Sequence, residues 1–380
     1  MYPEYFTLQD LERFGKNGCV TESFRISVRS DCGQCMVVTA RSYYEGETAP
    51  QIRLSLWEEG QTEKPRHSTF YYTLGRKNDP TRQQWRMAPT FHPALHAEIE
   101  VKIPEGTKLY FSEFHNAYAD PPRWNDVGIR FNAHLGYKVA PLNARPAVEL
   151  AAQCGFSTCI INPKEIADGE LICMHDPRVV KYARDENGDR VDDTRSIYAM
   201  TYPEIARWDY GLRASEIYRG TGILKLEDYF EICAKTGMKP MFSAHEDAVR
   251  ISGWHRIEKM LQKFGLTQYL HVKAPCVDTL ELAFSVFGDR IDGYTLDYNG
   301  PEDLAASELA GANCRLVIES WFEKYTCRED VQRILDYGFT AAAFGFSPTN
   351  TESMDTYRRL IDWGVTEFTE DFHCSLGLNW

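Results

Sequence analysis

Apolar and polar residues alternate through the first third of the chain. Ser23-Phe24-Arg25-Ile26-Ser27-Val28 alternates, as do Gln51-Ile52-Arg53-Leu54-Ser55-Leu56-Trp57 and Ala97-Glu98-Ile99-Glu100-Val101-Lys102-Ile103. A period of two places the apolar side chains on one face of a strand. Pro104-Glu105-Gly106-Thr107 predicts a turn before the strand Lys108-Leu109-Tyr110-Phe111. Short strands punctuated by turns predict an antiparallel β-sandwich over residues 1–127. Asp120-Pro121-Pro122-Arg123-Trp124 reads as a linker, and beyond it the pattern changes. Strands are predicted near 128–134, 157–162, 239–245, 269–274, 292–298, 314–320, 341–346 and 365–370. Helical spacing lies between them, as over 226–235 and over 329–338, which ends on Gly338. Eight strand–helix units over residues 128–380 predict an α/β fold, a (β/α)8 TIM barrel.

Composition narrows the function classes. The 380 residues are 43% apolar and 26% charged, ordinary values for a globular protein of two domains. A net charge of −13 argues against broad binding to nucleic acid or to an anionic membrane. No apolar run reaches the length of a transmembrane helix, so no membrane insertion is expected. The N-terminus, Met1-Tyr2-Pro3-Glu4-Tyr5-Phe6, lacks the basic and apolar regions of a secretory signal. That fits a cytoplasmic protein, although a phage particle protein would read the same way. The 11 cysteines are odd in number and irregularly spaced, which favours free thiols in a reducing compartment.

Candidate chemistry is densest from Phe131 to Asp176. The stretch opens with Asn132-Ala133-His134-Leu135-Gly136 and continues through Pro141-Leu142-Asn143-Ala144. It closes with Asp168-Gly169-Glu170-Leu171-Ile172-Cys173-Met174-His175-Asp176. Order and spacing resemble the opening of the glycerophosphodiester phosphodiesterase family: His-Arg-Gly, Pro-Glu-Asn-Thr, a helix, Glu-x-Asp, then Asp-Gly followed by His-Asp. Further along, Tyr218-Arg219-Gly220-Thr221-Gly222-Ile223-Leu224-Lys225-Leu226-Glu227-Asp228 is similar to the family's approach to its next helix. Gly364-Val365-Thr366-Glu367-Phe368-Thr369-Glu370-Asp371 is similar to its closing segment, so the resemblance spans roughly 130–372. In the first third, the Pro104 turn and the aromatic strand after it resemble a jelly-roll carbohydrate-binding module.

The resemblance implies that His134 and His175 act as base and acid on a phosphodiester. Histidine suits the task because it titrates near neutrality. The family's metal-binding carboxylates fall on Ile160, Asn162 and Ser243, and its phosphate-gripping arginine on Leu135. Isoleucine offers a hard cation nothing, and asparagine or serine offers only a neutral oxygen. No divalent cation and no other cofactor are therefore expected. Phosphate stabilisation requires positive charge and donors rather than a particular element. Alternation along the strands places Lys164 with Asn162, and His245 with Ser243, at the barrel mouth, with Lys273 near the end of the fourth strand. Asp297, Glu319 and Trp321 take comparable positions on later strands. The predicted substrate-binding set is Asn162, Lys164, His245, Lys273, Glu319 and Trp321.

Plainer readings compete with these. His245 or Lys273 fits an ion pair at the barrel mouth, and Lys164 fits a solvated lysine after a strand. His245-Glu246-Asp247 has a metal cluster's composition, but neighbours on a strand point opposite ways. Cys32-Gly33-Gln34-Cys35 reads as a turn, lacking a second such pair. Trp57, Tyr71, Tyr72, Trp85 and Trp124 suit either a sugar platform or, in preference, packing in the sandwich core. Three functions remain open. The first is metal-independent hydrolysis of a glycerol- or sugar-phosphate diester. The second is a binding or scaffold barrel that has lost its chemistry, with a glycan- or ligand-binding pocket. The third is glycoside cleavage by Glu319 with another carboxylate.

Overall fold

The computed structural model describes residues 3–11, 20–29, 35–58, 60, 65, 67–68, 71–87, 95–119, 128–137, 140–153, 155–244, 249–301, 303–304, 315–321, 327–344 and 359–370. They fall into two compact units, one within Met1–Pro122 and one within Arg123–Gly345 and Arg359–Phe372.

The first unit contains two sheets. One pairs β1 (Val20–Ser27), β8 (Leu95–Ile103) and β3 (Gln51–Glu58) in that order, with the short strands β4 (His67–Ser68) and β5 (Tyr72–Thr73) against β3. The other centres on β2 (Cys35–Glu45), which pairs with β6 (Arg76–Lys77), β7 (Thr81–Met87) and β9 (Lys108–Ala119). All of these pairings are antiparallel except β2 with β6. Alternation buries Ile52, Leu54 and Leu56 of β3 and Ile99, Val101 and Ile103 of β8. They share one core with Met36, Val38 and Ala40 of β2, Trp85 of β7 and Phe114 of β9. Each large apolar side chain in such a core stabilises by about 1.5–3 kcal/mol over its exposed state.

The predicted aromatics separate here. Trp85 is 1% exposed and lies in the core. Trp57 and Tyr71 do not, because Trp57 alternates with Leu56 onto the opposite sheet face. There Trp57 stacks on His96, and Arg53 and Lys102 approach the Tyr71 ring. Trp124 and the Tyr72 side chain lie outside the described part, as does the Cys32-Gly33-Gln34 stretch.

The second unit is a closed barrel of eight parallel strands: β10 (Arg130–His134), β11 (Thr158–Ile161), β14 (Lys239–Ser243), β15 (His271–Ala274), β16 (Gly293–Tyr298), β17 (Arg315–Trp321), β18 (Thr340–Phe344) and β19 (Val365–Glu370). Each falls on a predicted strand. Parallel strands are covered on both faces, so β11, β15 and β16 are buried along their whole length. Helices α1 (Arg145–Gln153), α3 (Leu226–Thr236), α4 (Ile251–Phe264) and α5 (Val277–Phe287) lie between strands, as does the helix Arg328–Asp336. Helix α3 buries Leu226, Tyr229, Phe230 and Cys233, and stops at Gly237, whose φ of 75° closes the last turn.

Between β11 and α3 the chain leaves the simple repeat. A hairpin of β12 (Pro163–Glu165) and β13 (Leu171–Cys173) leads into an insertion that includes the short helix α2 (Tyr202–Ala206). The insertion looks acidic and polar in sequence, yet it has its own core of Ile172, Met174, Val179, Ile197, Met200 and Ile205.

Charge closes the N-terminal end of the barrel. Asp292, just before β16, accepts hydrogen bonds from Arg130 Nη1 at 3.1 Å and Lys239 Nζ at 3.1 Å, and lies 3.6 Å from His271 Nδ1. Burial alone would raise its carboxyl. The His271 hydrogen bond and the charges of His271, Lys239 and Arg130 outweigh burial and hold it far below the ordinary carboxylate range.

Candidate active site

Barrel closure gathers the C-terminal ends of the strands at one mouth, where His134 ends β10. That residue lies opposite Ile160, and the turn after it is tight. Leu135 adopts φ 61° and Gly136 φ 87°. A left-handed conformation is rare for a bulky residue and requires support from its surroundings. Here the Asn143 N–H donates to the Leu135 carbonyl at 2.8 Å, and the Tyr137 N–H to the Ala147 carbonyl at 3.0 Å. A Cβ on Gly136 would stand 2.5 Å from that of Ala147, so the turn needs glycine.

Asn143 also fixes Asn162. The Asn162 N–H donates to Asn143 Oδ1 at 3.1 Å, and Asn143 Nδ2 donates to Asn162 Oδ1 at 3.3 Å. Both residues are buried. Asn162 therefore holds the loop before α1 against the end of β11. The three positions expected to carry metal carboxylates offer a hydrocarbon at Ile160, a hydroxyl at Ser243 and an amide oxygen already bonded at Asn162. That donor set does not fit a hard cation.

Phe344, at the end of β18, lies between opposite walls of the mouth. Its ring meets His134 edge-on, with centroids 4.9 Å apart, and Lys273 Nζ of β15 lies 4.6 Å from its centroid. Lys273 also forms an ion pair with Asp297 Oδ1 at 3.0 Å, with both side chains about nine-tenths buried. Lys273 thus reaches the mouth with its charge already balanced. Lys164 is only 5% exposed, and among the described residues no hydrogen bond or ion pair holds its amine. Burial lowers its pKa, opposed by the charge of Asp176. Glu319 pairs by backbone with Asp297, and Trp321 with Phe344, but their side chains lie outside the described part, and so does all of His245.

His175 follows β13 and is exposed. Its Nδ1 lies 3.6 Å from Asp176 Oδ2. Asp176 accepts the Tyr182 O–H at 2.6 Å and pairs with Lys181. Burial would raise the Asp176 carboxyl, but the hydrogen bonds from Lys181 and Tyr182 and the charge of Lys181 keep it below its usual value. Burial and the bond to Asp176 push the Tyr182 phenol well up, so it stays a donor. His175 opens onto a cavity of ≈ 240 Å³, lined also by Asn143, Tyr182, Tyr210, Arg213 and Leu224. Of the predicted site residues that the structure describes, His175 lines this cavity. His134, Asn162, Lys164 and Lys273 do not.

Arg213, Tyr182 and Tyr210 were absent from the predicted site. Asp209 organises the loop that carries two of them. Its Oδ1 accepts the Gly211 and Leu212 N–H groups at 2.7 and 2.8 Å, and its Oδ2 the Gly220 N–H at 2.5 Å. The run Trp208-Asp209-Tyr210-Gly211 was a signal for this turn, since aspartate before glycine favours it.

Comparison with known proteins places this geometry in a fold. No protein-family model matches the chain, and no curated protein matches it. Solved structures do. A glycerophosphodiester phosphodiesterase from Agrobacterium tumefaciens is 15% identical, with a TM-score of 0.51 over 64% of this chain and 96% of that one. A phosphodiesterase from Oleispira antarctica, solved with its product sn-glycerol-3-phosphate, is 18% identical, with a TM-score of 0.52 over 66% and 95%. A protein from Silicibacter pomeroyi assigned as a glycerophosphoryl diester phosphodiesterase is 16% identical, with a TM-score of 0.54 over 64% and 90%. The barrel has the fold of the glycerophosphodiester phosphodiesterases.

Proposed function

We propose that the barrel is a divergent glycerophosphodiester phosphodiesterase that hydrolyses a small glycerol- or sugar-phosphate diester without a divalent cation. The observation that carries this reading is the barrel's fold with histidines at two motif positions: His134 at the C-terminal end of β10, and His175, which lines the cavity, two residues after the β12–β13 hairpin. In the proposed reaction His134 takes the proton from the attacking water. The new P–O bond forms as the bond to the leaving alkoxide breaks, and His175 protonates that alkoxide. Asp176 lies beside His175, 3.6 Å from its Nδ1. The product sn-glycerol-3-phosphate bound by the Oleispira antarctica enzyme supports a small-molecule substrate. The two-sheet unit supports a sandwich module, with the Trp57 and Tyr71 face as its proposed glycan contact.

A binding or scaffold protein is the second reading, favoured by the Lys273–Asp297 pair, which leaves that lysine's charge balanced. Turnover of glycerophosphodiesters, teichoic-acid fragments and sugar phosphodiesters by the full chain separates the two. The enzyme reading expects activity that chelator leaves unchanged. It also expects His134→Ala and His175→Ala each to reduce that activity by about 10²-fold or more. No turnover of any of these substrates, with glycan binding that survives both substitutions, would establish the binding protein instead.

A further inference from the structure

The fold family's phosphate-gripping arginine is replaced here by buried Leu135, but the cavity beside His175 contains another guanidinium. Arg213 lines it, and among the described residues no hydrogen bond or ion pair engages that guanidinium. Its Cζ lies 5.2 Å from the centroid of Tyr182. The Tyr182 O–H is bound to Asp176 at 2.6 Å, and Asp176 neighbours His175. One carboxylate thus holds the hydroxyl of the ring beside the arginine and lies next to the histidine.

We infer that Arg213 is the anion-binding residue of this cavity and grips the phosphate of the substrate, a role transferred from the first barrel loop to the insertion. This rests on the phosphodiester reading of the same site. A guanidinium near an aromatic ring, with no hydrogen bond or ion pair among the described residues, keeps its N–H donors available, and their fork matches two phosphate oxygens. The loop presents Arg213 in a defined position. Asp209 ties down both ends of the loop, and Gly211 packs so closely that an added Cβ would lie 1.9 Å from the Tyr218 carbonyl. Tyr182 and Tyr210 supply a wall, Asn143 is a polar neighbour, and His175 stands at the same cavity. The volume of ≈ 240 Å³ falls below the roughly 300–1,000 Å³ of pockets for drug-sized ligands. It suits a headgroup-sized phosphate ester rather than an acylated lipid.

The test measures equilibrium binding of sn-glycerol 3-phosphate, inorganic phosphate and glycerol to the full chain by calorimetry. It compares wild type, Arg213→Ala and Arg213→Lys, with diester turnover measured in parallel. Arg213→Ala is expected to weaken both phosphate-bearing ligands by about 10- to 100-fold, the range of a charge-assisted hydrogen bond. Arg213→Lys should restore only part of the affinity, because an ammonium is a point charge without the fork. Melting temperature should not move, since Arg213 is exposed. Unchanged phosphate affinity and KM in Arg213→Ala, with wild type active on a diester, would overturn the role of Arg213 and leave the phosphodiester reading standing. Wild type that neither binds these phosphates nor turns over a diester would overturn both.

Discussion

Replacing Asp292 with asparagine tests what closes the N-terminal end of the barrel. The carboxylate faces Arg130, Lys239 and His271, which enter from three different strands, and Glu367 lies 3.8 Å from Arg130. Asparagine keeps the shape but removes the charge, leaving Arg130, among the described residues, with Glu367 as its carboxylate and Lys239 without its charged partner at 3.1 Å. Breaking a buried pair costs about 3–5 kcal/mol. Arg130 and Lys239 are 27% and 33% exposed at the side chain and regain some water, so the lower end, about 3 kcal/mol, is expected. For a unit of this size that lowers the melting temperature by roughly 6–12 °C. The pH dependence has a definite sign. The folded carboxyl titrates below the unfolded one, so its stabilisation is fully present above the unfolded value near 4 and is lost as pH falls toward the folded value. Denaturant titrations from pH 7 to pH 3 should show a gap between wild type and Asp292→Asn that is constant at neutral pH. Below about pH 4 it should narrow by about 1.4 kcal/mol per pH unit. A variant within about 0.5 kcal/mol of wild type at pH 7, or a gap that does not depend on pH, would refute the reasoning.

Three further substitutions probe other parts of the barrel unit. Gly136→Ala places a Cβ 2.5 Å from Ala147 at a φ of 87°, and should destabilise by about 2–4 kcal/mol in a denaturant titration; coincident midpoints would show that the turn after His134 is tolerant. Lys164→Met removes a buried amine whose folded pKa lies below the unfolded one. Wild type should therefore gain stability as pH rises toward about 10 while the variant does not, and equal slopes in thermal melts would contradict the burial argument. Gly211→Ala drives a methyl group into the Tyr218 carbonyl and should misplace the Arg213 loop, weakening phosphate binding by about tenfold or more while leaving the barrel's circular dichroism intact; unchanged affinity would mean that the loop's geometry is unimportant.

The eight barrel strands were legible because parallel strands covered on both faces must be short apolar runs, and the helices between them must carry one apolar stripe. Lys239–Ser243 and Gly293–Tyr298 could be placed on strands without knowing any neighbour. His134 and His175 stood out only through their resemblance to the family's order of motifs, since nothing in local periodicity singles out either histidine. Pairing was not legible. Lys273 is separated from Asp297 by a helix, and only the β15–β16 register makes them an ion pair rather than two independent groups. Phe344 meets His134 and Lys273 because barrel closure brings first, fourth and seventh strands to one mouth. The same limit separates Trp57 from Trp85, since alternation says that a strand has two faces but not which one receives the second sheet. The cavity depends still more on tertiary structure. Arg213, Tyr182, Tyr210 and Asn143 carry no shared spacing; the insertion's small apolar core holds Tyr182 and Tyr210, while Asn143 reaches the same cavity from the loop before α1. Local periodicity acts over a few residues and determined the elements of this protein. The positions of charges relative to one another follow from packing across long loops, so only the folded chain decided which of them form a site.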